Sequence, residues 1–248
     1  MVASFFDVRP GPVELSPMFG GPHLLALVLL GLLFTSLVLA RGRLRQSPSD
    51  HPWVRGLSWF ILIDQLFLFA LYFLYDYQPF WERFPLHLCA GLSLFVPTMM
   101  ILGRLEAVRF VALWAVGAGF ISIVNMSLNH NPMASYVYVH YLWMHYYLFG
   151  LPIYLVVRGD IRIDYALLIR STAGLVALSA AIFGLDWALG ANYMYIGPGS
   201  TLEIPFLPRS WTVWPWCYPT FAAVCVGLFH GVYLLFRALS PSEPSAAG

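Results

Sequence analysis

Apolar segments of about twenty residues, the length a helix needs to cross ~30 Å of hydrocarbon, recur along this chain between short breaks that carry arginine. Of the 248 residues, 60% are hydrophobic and only 10% charged, whereas a soluble domain carries about 25% charged residues. Such a chain cannot cover a globular surface with polar groups. Inside lipid no water meets the backbone N–H and C=O groups, so each segment must close its own hydrogen bonds as a helix. The sequence therefore predicts an all-α, polytopic membrane helical bundle with membrane lipids as its main partner. A net charge of +1 without a basic stripe gives no support to nucleic-acid binding.

Hydropathy predicts seven transmembrane helices near 22–40, 54–75, 85–103, 107–125, 135–157, 165–188 and 212–236. All thirteen basic residues are arginines, and ten lie in alternate connections or at their helix ends: Arg41, Arg43, Arg45, Arg55, Arg104, Arg109, Arg158, Arg162, Arg170 and Arg237. Only Arg9, Arg83 and Arg209 lie on the other side. The positive-inside bias then sets the N-terminus out and the C-terminus in, in a multi-pass protein of the cell membrane. Residues 1–21 hold Asp7, Glu14 and three prolines (Pro10, Pro12, Pro17), and read as an exposed arm rather than a signal peptide. Residues 22–239 form one transmembrane domain. Residues 240–248, small, polar and proline-containing, suit a disordered cytoplasmic tail.

Small residues at Ala173, Ala177, Ala181, Gly227 and Gly231 suit helix contacts in lipid and say nothing about chemistry. Polar groups within the spans are more informative. An acid in mid-span costs about 2.5–3.5 kcal/mol on insertion scales, so it faces protein or water and takes a partner. Asp64 is that acid. At 1.5 Å per residue it lies roughly 16 Å from the outer end of its span, and His145 comes out at roughly 15 Å. The two are expected to meet, either as a carboxylate orienting a general base or as a polar pair that only holds helices together.

Near the outer end of the third span stands Pro85-Leu86-His87-Leu88-Cys89. Proline suits a helix start, which puts His87 and Cys89 in the first turns. A thiol there, beside imidazoles and unpaired backbone N–H groups, has the setting of a nucleophile. Residues two apart on a helix point roughly 160° apart, so the base for Cys89 must come from another helix, with His145 or His140 available. The alternative is a disulfide to Cys217, which opens the seventh span at the same level. Cys225, in mid-helix, reads as inert packing.

The fifth span also holds Tyr136, Tyr138, Tyr141, Trp143, Tyr146, Tyr147 and Phe149, after a connection with Asn129, His130 and Asn131. These residues fit an interfacial aromatic belt or the lining of a lipid-binding cleft. Asn192, Tyr193, Pro198 and Pro219 frame an outer connection, and His23 begins the first span at the same level. No two histidines have the i, i+4 spacing that puts metal ligands on one helical face. The chain has no lysine, which excludes a retinal Schiff base. No cofactor is expected.

Phe19 to His23, Pro85 to Cys89, His145 in an aromatic helix, Asn192–Tyr193, and Trp214–Pro215 with Tyr218 resemble the bacterial YwaF family. That family is similar to the eukaryotic transmembrane protein 164 group, described as cysteine-dependent acyltransferases acting on lysophospholipids. The resemblance covers nearly the whole chain, and Pro85 to Cys89 with a later intramembrane histidine is its most specific part. It implies Cys89 as the acyl-accepting cysteine and His145 as its base, with His87, His23 and Asn192 in supporting roles, and a bacterial inner membrane as the setting. An acyl donor and a lysophospholipid acceptor would be the partners.

Two functions of different class are open to such a chain. One is an intramembrane acyltransferase, or a lipid hydrolase with the same site. In it Cys89 forms a thioester, His145, oriented by Asp64, moves protons with His87 nearby, and His23, His140, Asn192 and Tyr193 bind substrate. The other is a transporter or ligand-binding bundle in which buried Asp64 and His145 bind a proton or substrate.

Overall fold

The structure is a computed structural model and describes residues 5, 6, 8, 20–46, 52–76, 83–125, 135–198 and 207–240. Among them there is no strand. The helices are α1 (Gly21–Leu39), α2 (Arg41–Gln46), α3 (Pro52–Leu74), α4 (Leu88–Ile101), α5 (Leu105–Val124), α6 (Tyr136–Arg158), α7 (Tyr165–Leu189), α8 (Arg209–Thr212) and α9 (Cys217–Leu239). Each of the seven hydropathy windows falls on one of the longer helices.

Five of these, α1, α3, α5, α7 and α9, are long and apolar enough to cross a bilayer. α4 is apolar but has 14 residues, about 21 Å. It begins at Leu88 rather than at the proline, because Pro85 and Leu86 turn back over its first turn. The Pro85 carbonyl would lie 3.1 Å from a Cβ on Gly91, so only a residue without a side chain fits there easily. α6 is 23 residues long, and its tyrosines and histidines set it apart from the five. It is the inner helix of the bundle, with most of its residues buried. An expectation of seven spans thus rests on α4 and α6 crossing as well.

Local chemistry fixes the helix ends. Ser135 caps α6 by accepting from the Tyr138 N–H at 3.2 Å, and Asp164 caps α7 by accepting from the Leu167 N–H at 2.7 Å. Gly159 and Gly190 end these helices at φ 92° and 63°, a left-handed conformation that favours glycine. Several arginines of the predicted inner side gather at one end. Arg45 donates to the last carbonyls of two helices, Val157 at 3.0 Å and Leu239 at 2.8 Å. Arg109 bridges Glu106 and Asp164. At the other end Arg83 is paired with Asp76 and lies over the Phe73 ring.

α5 and α6 approach most closely at Gly119, where a Cβ would lie 2.7 Å from the His145 carbonyl and 2.8 Å from the Phe149 nitrogen. Glycine lets the two backbones touch, and this contact sets the backbone of His145 against α5. Of the N-terminal arm, Phe5 and Phe6 are exposed and Val8 is buried. Val8 is buried with Leu68, Leu71, Tyr136 and Val137, and the Phe5 carbonyl accepts from the Tyr136 N–H at 2.8 Å. The rest of the arm, the tail from 241 onward and the 126–134 connection with Asn129, His130 and Asn131 lie outside the described residues.

Candidate functional site

Cys89 is the second residue of α4, and His87 is the residue before the helix. The first N–H groups of the helix have no intrahelical acceptor and point toward this end. The Cys89 sulfur lies 3.5 Å from Ser122 Oγ, in the last turn of α5. The Tyr141 hydroxyl donates to the Ser122 carbonyl. One turn further along α6, His145 Nδ1–H donates to the Tyr141 carbonyl at 2.6 Å, with the two ring centroids 4.1 Å apart. With Nδ1 holding the proton, the basic lone pair of His145 is on Nε2. His23 reaches the same turn of α5 from α1, donating from Nε2 to the Ile123 carbonyl at 3.0 Å. Cys89, Tyr141 and His23 therefore reach the last turn of α5, which holds Ser122, from three other helices, and His145 joins them through Tyr141.

His87 closes the site from the side of the 191–198 connection. Its Nδ1 accepts from the Met194 N–H at 3.3 Å, and its ring packs against Tyr193 and Tyr195 with centroids 5.5 and 5.2 Å away. Burial disfavours the charged imidazole and lowers its pKa to about 4. At neutral pH His87 is an uncharged acceptor that holds this connection in place. Asn192 and Tyr193 serve the connection in turn. Asn192 Oδ1 accepts from the Gly197 N–H at 3.0 Å, and the Tyr193 N–H donates to Asp186 Oδ1 at 2.9 Å. The side chain of Tyr193 is buried.

The expected Asp64–His145 pair is not formed. Asp64 Oδ2 instead accepts from His140 Nδ1–H at 2.7 Å, and Oδ1 accepts from the Tyr136 hydroxyl at 2.6 Å. Counting axial rise brought Asp64 level with His145 but left its direction undetermined. His140 and His145 are five residues apart and so point about 140° apart around α6, and it is His140 that faces α3. His140 Nε2 is buried and finds no hydrogen-bond partner among the described residues. Beside this pair, Ser93 donates to Gln65 Oε1 at 2.5 Å, tying α4 to α3.

None of the three cysteines is in a disulfide. Cys217 is not bonded to Cys89, and its thiol donates to the Ile196 carbonyl at 3.3 Å. Cys225 is buried in α9. Ser122 and Asp186 went unnoticed in the sequence because each is a single polar residue in an apolar run. Tyr141 carried a readable signal: it precedes His145 by four residues and so shares its helical face.

The helices, their apolar surfaces and the polar cluster at one end define a multi-pass, all-helical integral membrane protein. The model of the TMEM164 family matches residues 18–233. The chain therefore belongs to the TMEM164 family, the group to which its motifs pointed, and the YwaF resemblance is compatible with that membership. It matches no curated protein and no solved structure.

Proposed function

We propose that this protein is an intramembrane acyltransferase acting on phospholipids and lysophospholipids through a thioester on Cys89. The observation that carries the reading is the free Cys89 thiol at the start of α4, set against Ser122 and in one cluster with His145. Family membership supports it through the acyltransferase group that the motifs resemble. In the first step the thiol proton passes to His145 Nε2 and the sulfur attacks the ester carbonyl of a donor lipid. The tetrahedral adduct collapses to the thioester, and the lysophospholipid alkoxide leaves with the proton from the imidazolium. In the second step the hydroxyl of an acceptor lysophospholipid gives its proton to His145 and attacks the thioester. Thiolate departs and recovers the proton. Water in place of the acceptor would make the same site a hydrolase.

Asp64 and His140 stand outside this chemistry and bind α3 to α6. His23, Tyr141 and Ser122 position the end of α5, and His87 fastens the connection over it. Incubating the purified protein in vesicles with an alkyne-tagged acyl phospholipid, followed by peptide mapping, tests the reading. A hydroxylamine-labile adduct on the Cys89 peptide is expected. His145→Gln should slow its formation by about 10²–10⁴-fold. Absence of an adduct, together with substrate flux that survives Cys89→Ala, would move the function to transport.

A further inference from the structure

A groove of about 450 Å³ runs between the first turns of α1 and of α6. Pro22, Leu25, Ala26 and Leu29 line it from α1, and Tyr138 and Leu142 from α6. These side chains lie at i, i+3, i+4 and i+7 on α1 and at i, i+4 on α6, so each helix gives one face. No charged residue takes part. Buried Ala26 forms the floor, and its small side chain leaves the space open between the leucines.

We propose that this groove seats one acyl chain of a membrane lipid and presents its carboxyl end to Cys89, an inference that rests on the acyl-transfer reading above. Three observations identify the occupant. First, the groove opens on the surface of a helix apolar enough to span a membrane, where the surrounding medium is acyl chains. Second, from Gly21, the first residue of α1, to Leu29 it extends about 12 Å along the axis. That is most of the ~15 Å of one leaflet's hydrocarbon, so a chain in it lies parallel to its neighbours in that leaflet.

Third, the groove is closed inward, and the two helices that line it also carry residues of the site. The Tyr146 hydroxyl donates to the Ala26 carbonyl at 2.9 Å, tying the helices together. Deeper still, a Cβ on Gly150 would lie 3.0 Å from Leu33, so the helices are in contact there and a chain can go no further. Toward the outer end, Tyr138 and Leu142 belong to the same face of α6 as Tyr141 and His145. Pro22 is followed by His23, which is bonded to Ile123, the neighbour of Ser122. The helices that line the groove are thus the ones that bring His23, Tyr141 and His145 to the cluster. The closed inner end makes groove length a measure of chain length.

Photo-crosslinking tests the seat without requiring any chemistry at Cys89. The full-length protein in phosphatidylcholine vesicles is irradiated with a phosphatidylcholine carrying a mid-chain diazirine, and the peptides are mapped. Labelling concentrated on 22–30 and 138–146, and reduced several-fold by Leu29→Trp, is expected. Labelling spread evenly over the lipid-facing sides of α3, α7 and α9, or unchanged by Leu29→Trp, overturns the proposal. Leu29 is 43% exposed, so the indole can enter the groove without disturbing the core, and Leu25→Trp gives a second variant should this one fail to fold. The Cys89 adduct provides the second measurement. In Leu29→Trp its formation should shift by at least tenfold toward short acyl chains, and a chain-length profile like that of the unsubstituted protein counts against the groove. If no chain of any length forms an adduct, the acyl-transfer reading fails, while the crosslinking still decides whether the groove holds a chain.

Discussion

Asp64 and His140 form a charge-assisted hydrogen bond of 2.7 Å between α3 and α6, and the second carboxylate oxygen is held by Tyr136. Removing the carboxylate leaves the imidazole without its acceptor inside the bundle and the Tyr136 phenol with the Asp64 backbone carbonyl alone, at 3.0 Å. Asp64→Ala should therefore destabilise the fold by about 1–3 kcal/mol, the lower part of the range applying because polar groups in membranes find other partners. Thermal unfolding in detergent measures this. Acyl transfer per folded molecule should stay near its original level, because His145 takes its orientation from Tyr141. A variant of undiminished stability that loses transfer would return Asp64 to the mechanism.

The positions of the long helices were legible in the sequence because hydropathy and arginine placement are properties of segments, and lipid demands helices. The place of Cys89 in the first turn of α4 was legible from the proline before it. Direction around the axis was not, and this is why Asp64 was matched with the wrong histidine. Whether His140 or His145 faces α3 depends on the rotation of α6, which is set in part by the close approach at Gly119. Ser122 was invisible because its role comes from where α5 ends against α4 and α6.

Gly119 supplies a direct test of that packing. In Gly119→Ala the new methyl meets backbone atoms of His145 and Phe149 at under 3 Å, and backbone cannot rotate away. We expect a loss of about 1–3 kcal/mol from overpacking, with acyl transfer reduced beyond the loss of folded protein because the turn of α6 that carries His145 is pushed away from α5. Gly184→Ala, where a Cβ meets open space, is the matched control and should leave both unchanged.

His87 makes stability depend on pH. Its pKa falls from 6.5 to about 4 on folding, so below 6.5 the unfolded chain binds a proton that the folded one excludes. Its contribution is complete above about 6.5 and is lost as pH falls toward 4. The midpoint of thermal unfolding should drop across that window, and His87→Gln should flatten the dependence. An equal slope in that variant would show that other groups carry it.

The positive-inside bias predicts that the end of the bundle around Arg45 and Arg109 is cytoplasmic, which would put Ser240 and the C-terminal tail inside. A C-terminal reporter active only in the cytoplasm should therefore be active. Replacing Arg45 alone should leave orientation intact, because nine further arginines act together. It should weaken the inner end of the bundle, where its guanidinium holds the carbonyls of Val157 and Leu239. Activity confined to an outer-compartment reporter would reverse the topology and move the Cys89 site to the inner leaflet.

The chemistry finally depends on one sulfur. Cys89 is free and its helix start is shared with His87, so a membrane-permeant maleimide should label it without prior reduction, whereas Cys217 and Cys225 are buried. Labelling seen only after reduction would revive a disulfide. Cys89→Ser replaces sulfur by an oxygen that can keep the contact with Ser122, so the unfolding midpoint should change little while acyl transfer is abolished. Cys89→Ala removes the contact as well and should be no less folded by more than about 1 kcal/mol. If both variants keep their fold and both lose transfer, nucleophilicity rather than packing is what Cys89 provides. If the alanine variant retains transfer at the original rate, the thioester is excluded, and a direct attack by the acceptor hydroxyl, with His145 as base, takes its place.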